Sequence, residues 1–192
     1  MVDIQFTRYT FWKDHFRYFV RADGAALLDP EWDTDGASAA FVHPPQDGVI
    51  GWRLPHSIEV IAGKEAGEID VDVAWLASEP AGIYETHAVA SACDIETPTG
   101  RVAIADHWNT EVVGHDFGAA RRCRVFVEVH DRDLSSPAQW GAKTDEHHTI
   151  IVWPMNIPQQ RWTSVRRDAT AIAMLDGYLR AGIDPELGQR DP

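Results

Sequence analysis

Along most of this chain apolar and polar residues alternate with a period of two, the pattern of strands that bury one face. The clearest run is Glu68–Ala77. Ile69, Val71 and Val73 share one face there, and Glu68, Asp70 and Asp72 share the other. Strict alternation with an acidic face predicts an antiparallel sheet wetted on one side. Arg122–His130 repeats the pattern, with Cys123, Val125, Val127 and Val129 on one side and Arg124, Phe126, Glu128 and His130 on the other. In residues 15–22, Phe16, Tyr18 and Val20 oppose Arg17 and Arg21. His148–Trp153 is apolar enough to be a central strand, closed by Pro154 and Pro158. Weaker strands are expected within residues 2–12, 38–43, 48–54, 57–62, 84–95 and 101–106. Residues 22–36 are rich in Asp, Gly and Pro and read as loop, as do 109–120 and 131–145.

One segment changes period. Thr163–Ala181 spaces Val165, Ala169, Ile172, Leu175 and Leu179 as one face of a helix. Thr163 or Ser164 offers an N-cap, and Gly182 offers a C-cap. Roughly nine or ten short strands without β-α-β alternation predict a mostly β fold. That fold is an antiparallel β-sandwich, or a barrel-like variant, with one C-terminal α-helix. A single domain over residues 1–182 is expected, with 183–192 as a frayed tail.

Composition narrows the setting. Eight tryptophans allow a sizeable core without disulfides or metal. No apolar run reaches the ~18 residues that a membrane helix needs, and the start lacks the basic and apolar regions of a signal peptide. A cytoplasmic location is therefore expected. Cys93 and Cys123 lie far apart and read as reduced, buried thiols, with a single disulfide left open.

Charge points to a class of partner. The net charge is −13 and uneven: residues 1–100 hold 17 acids and 6 bases (−11), residues 101–192 hold 13 acids and 11 bases (−2). Binding to nucleic acid depends on cations that displace phosphate counterions, so direct contact with DNA or an anionic membrane is not expected. An acidic half suits a basic protein, because a one-signed field speeds encounter with the opposite sign. The residues expected to meet it are Trp32, Asp33, Asp35, Glu68, Asp70 and Asp72. Trp32 and Trp140, in polar loops, are candidate exposed anchors.

Motifs for chemistry are sparse. Phosphate-binding glycine loops, a nucleophile elbow and zinc-type Cys/His spacings are all missing. No cofactor is expected, and catalysis is the less favoured reading. The alternative is a divalent metal at strand ends, held by His107, His130, Asp131 and Asp133. His147 and His148 point to opposite sides of a strand, so only one of them can join such a site. A third reading, suggested by the tryptophan count, is a structural domain with a homo-oligomer interface.

The order of elements over residues 10–135 also carries a resemblance. An aromatic strand (Phe16–Val20) precedes an acidic loop with Trp32 and Asp33. A small-residue strand (Gly36–Phe41), the strand Ile69–Val73 and a Pro98-Thr99-Gly100 turn follow. This resembles the competence protein J family, the DNA-entry nuclease inhibitors. The resemblance implies a small acidic β-sandwich that binds and blocks a basic nuclease. Residues 140–181 fall outside the pattern and read as an addition.

Overall fold

The computed structural model describes residues 4–13, 17–23, 49–63, 66–86, 88–132, 145–164 and 166–180. The alternating runs become eleven strands: β1 (Thr7–Lys13), β2 (Arg17–Ala22), β3 (Ile50–Leu54), β4 (Ser57–Ile61), β5 (Gly67–Trp75), β6 (Val89–Glu96), β7 (Arg101–Ala105), β8 (Glu111–Asp116), β9 (Arg122–His130), β10 (His147–Pro154) and β11 (Trp162–Thr163). A 3-10 turn (Ile83–Glu85) precedes β6, and helix α1 (Ala169–Arg180) comes last.

The strands form two open sheets. Sheet A has the order β1-β5-β10-β9-β6-β11, and sheet B has the order β3-β4-β2-β7-β8. The fold is thus a sandwich rather than a closed barrel. Every pairing is antiparallel except β5 with β10, which is parallel. The period-two pattern explains the core. Tyr18, Val20, Ile58, Val60 and Ile104 of sheet B meet Ile69, Val71, Val125, Val127 and Val152 of sheet A in one apolar cluster. Both cysteines lie buried in that layer, and neither forms a disulfide.

Three expectations need correction. Residues 109–120 are not all loop, because Glu111–Asp116 pairs with β7 as a hairpin. The helix starts at Ala169, six residues later than expected, because Trp162 and Thr163 pair with Ala92 and Ser91 of β6. Ser164 accepts the Ala90 N–H at 3.0 Å instead of capping a helix, and Asp168 caps α1 by accepting the Ala171 N–H at 2.7 Å. Ile172, expected on the buried stripe, is 53% exposed, whereas Thr170 and Ala171 are buried. Finally, the segment read as an addition contributes β10, which lies between β5 and β9 and is integral to sheet A. The expected strand at 38–43, Gly182 and the tail lie outside the described residues. No helix among the described residues is long and apolar enough to cross a membrane.

Candidate functional site

Sheet A has a second face, pointing away from sheet B, and it is divided. One half is apolar and covered. Ala74, Ala90, Ala92, Phe126, Ile151 and Trp153 pack there beneath Leu76, Ile83, Tyr84 and Trp162. Within this cover Arg124, directly opposite Asp94 across the β9–β6 pair, is nearly inaccessible. Its Nη1 donates to Asp94 at 2.7 Å, its Nε to the Tyr84 hydroxyl at 2.8 Å, and its Nη2 to the Gln160 carbonyl at 2.9 Å.

The other half is polar and open, and the predicted acidic row lies on it. Glu68 is exposed, and Asp70 and Asp72 are half-buried. The register sets their neighbours: Arg8, Thr10 and Trp12 of β1 stand opposite Asp72, Asp70 and Glu68. On the other side Asp70 faces His147, which in turn faces His130. Both Asp72 oxygens accept from Arg8 at 2.8 Å, and one also contacts His147 Nε2 at 2.9 Å. Thr10 donates its hydroxyl to Asp70. The hydrogen bond from Arg8 holds the Asp72 carboxyl below its ordinary range, so it stays ionised. His147 and His130 stack at 5.7 Å, and His130 Nε2 meets Glu128 at 2.8 Å. That hydrogen bond raises the His130 pKa. Asp70 and Asp72 are therefore less wetted than the alternation suggested, because β1 and β10 close over them from both sides.

Trp32, Asp33, Asp35, Asp133 and Trp140 lie outside the described residues. His107 stands edge-on to Trp108 in the turn between β7 and β8. Asp131 follows β9 in a left-handed conformation, φ 54°. It lines a cleft of about 340 Å³ with His130, Arg132, Arg166, Arg167 and Asp168. Among the described residues no group of three or more His, Cys, Asp or Glu side chains is placed to hold a metal.

Two features escaped the sequence reading. The first is Trp108, in the turn between β7 and β8, which is 71% exposed. The second is a buried polar chain between the sheets. Tyr18 of β2 meets His148 Nδ1 at 2.8 Å, and His148 Nε2 meets Glu146 at 2.8 Å. Burial lowers the His148 pKa. Burial also opposes ionisation of Glu146, but hydrogen bonds from His148 and the Gly63 N–H outweigh it and keep that carboxyl low. The proton arrangement follows: ionised Glu146 accepts from His148 Nε2, and neutral His148 accepts from the Tyr18 hydroxyl. Nearby Arg132 donates twice to Asp168, at 2.9 and 2.8 Å, and once to the Ile61 carbonyl at 2.9 Å. The start of α1 is thereby tied to this end of the sandwich. Alternation between His147 and His148 was the one sequence signal for the buried chain.

No family model matches the chain, and no curated protein matches it either. Among solved structures it is similar to the product of crocagin biosynthetic gene J, at 17% identity and a TM-score of 0.48, over 81% of this chain and 100% of that one. It is also similar to ComJ of Bacillus subtilis, an inhibitor of the DNA-degrading activity of NucA, at 11% identity and a TM-score of 0.49, over 80% of this chain and 100% of that one. ComJ belongs to the family that the order of elements resembles. Neither likeness says what this chain binds.

Proposed function

We propose that this chain is a non-enzymatic protein-binding module whose acidic half engages a basic protein such as a nuclease or a toxin. The observation that carries the reading is the row Glu68–Asp70–Asp72, set on the open half of a rigid sheet face. Arg8 balances the charge of Asp72, and His147 touches the same carboxylate. Glu68 and Asp70 complete the row, and Thr10 donates its hydroxyl to Asp70. A carboxylate row at strand spacing suits a cationic surface of the kind that holds phosphates, and it acts chiefly on the rate of encounter. The resemblance to the competence protein J family implies the same class of partner.

The test is a pull-down with the tagged chain at low and high salt, followed by association kinetics with the recovered protein. A basic protein released by salt, with association slowed in Glu68→Lys/Asp70→Lys, supports the reading. Unchanged association in that variant removes this face from the interface.

A further inference from the structure

We infer that the cleft between the end of β9 and the start of α1 binds the carboxylate of a small organic molecule, with Arg167 and His130 as the groups that touch it. This inference does not depend on the basic partner proposed above. The cleft is about 340 Å³, at the small end of the range for ligand sites. Its charge runs against that of the chain. The whole protein carries −13, yet the cleft is lined by Arg132, Arg166 and Arg167 against Asp131 and Asp168. The lining is thus cationic by one charge even with His130 neutral.

One of the two carboxylates is already spent on the frame. Asp168 accepts twice from Arg132, at 2.9 and 2.8 Å, and caps α1 through the Ala171 N–H. Arg132, with its side chain fully buried, also bonds the Ile61 carbonyl, so its role is to position this wall. The contact groups are held as well. Arg167 donates Nη1 to the Ser164 carbonyl at 2.9 Å, and the Ser164 hydroxyl accepts the Ala90 N–H of β6. His130 is fixed by Glu128 on Nε2 and by stacking on His147, so a ligand approaches Nδ1. Binding then requires little reordering of the protein. A guanidinium fork matches the two oxygens of a carboxylate. The second aspartate, Asp131, sets the ligand's charge. It leaves room for a monoanion and opposes the second charge of a phosphate.

The test titrates acetate into the chain at constant pH and ionic strength, with inorganic phosphate and chloride as comparisons, and follows the imidazole resonances. Acetate should shift the His130 resonance saturably and leave His115, on β8 of the other sheet, unmoved. Phosphate should bind more weakly than acetate. Arg167→Glu should weaken acetate by at least roughly tenfold, as expected for the loss of a hydrogen bond to a charged group. Its melting temperature should not change, because Arg167 is exposed. Arg167→Lys, which keeps the charge without the fork, should fall between that variant and wild type. A His130 response to acetate no stronger than that to chloride, phosphate binding more tightly than acetate, or undiminished acetate binding in Arg167→Glu would each overturn the inference.

Discussion

Breaking the Arg124–Asp94 pair should destabilise the fold severely, and replacing both residues with apolar ones should restore most of the loss. Both side chains are 2% exposed and their charged atoms are 2.7 Å apart. The remaining bonds are also made: Tyr84 and Gln160 accept from the guanidinium, and the second Asp94 oxygen accepts the Gln159 N–H at 2.8 Å. Arg124→Met leaves Asp94 as a buried carboxylate without its cation, and Asp94→Leu leaves a buried guanidinium. Removing one member of such a pair costs about 3–5 kcal/mol. That is a large part of the roughly 5–15 kcal/mol by which a domain is stable. At about 2–4 °C per kcal/mol for a chain of this size, the melting temperature should fall by roughly 6–20 °C. In Arg124→Met/Asp94→Leu no charge is stranded, and such replacements are often neutral. The double variant should therefore be more stable than either single one. Urea denaturation of the four proteins closes the cycle, provided that the slopes agree. Single losses below about 1 kcal/mol, or a double loss equal to the sum of the two, would refute the assignment of this pair as the tie beneath the covered half.

Two histidines should titrate in opposite directions, as read from imidazole resonances against pH. His130, raised by its hydrogen bond to Glu128, stabilises the fold below its ordinary pKa of about 6.5, and that contribution is lost as pH rises through the raised value; Glu128→Gln should lower its midpoint. His148, kept neutral by burial, should not titrate where His130 does, and the unfolded chain's proton uptake should erode stability as pH falls below about 6.5. Both cysteines should resist a thiol reagent in the native protein and react on unfolding, because burial pushes the Cys123 thiol up to about 11 and Cys93 is 1% exposed. Gly100→Ala should cost more than the roughly 1–2 kcal/mol of a left-handed residue, since Gly100 has φ 82° and an added Cβ would strike the Gly118 carbonyl; calorimetry would show it.

What was legible in the sequence was local. β5 and β9 could be read because each is wetted or covered differently on its two faces, and that difference is written at period two. β10 could be placed centrally because it carries apolar residues on both faces. Its parallel pairing with β5 could not, since no local signal records a partner that the chain reaches only after a long excursion. β8 escaped because Gly114 interrupts a short run that β7 completes. The helix start was misread because Ser164 has the chemistry of a cap but spends it on β6. The most consequential gap concerns the outer face of sheet A. Arg124, Phe126, Glu128 and His130 alternate outward together, yet Tyr84 and Trp162 come from distant segments to cover only the first two. Nothing in the period of β9 says where that cover stops.

That boundary separates charges that serve stability from charges that the proposed partner would meet. Under the cover, Arg124 and Asp94 have their bonds supplied by the protein itself, so a variant there reads out as stability. Beyond it, Asp72 is still partly committed, because Arg8 and His147 hold it, and reversing its charge would disturb fold and surface together. Glu68 sits at the outer end of the row, opposite Trp12, and is exposed. Reversing Glu68 alone should therefore leave the melting temperature within the roughly 0.5 kcal/mol expected of a surface change, while slowing encounter with a basic protein. A variant that lost stability instead would place Glu68 among the structural charges and remove it from the proposed binding row.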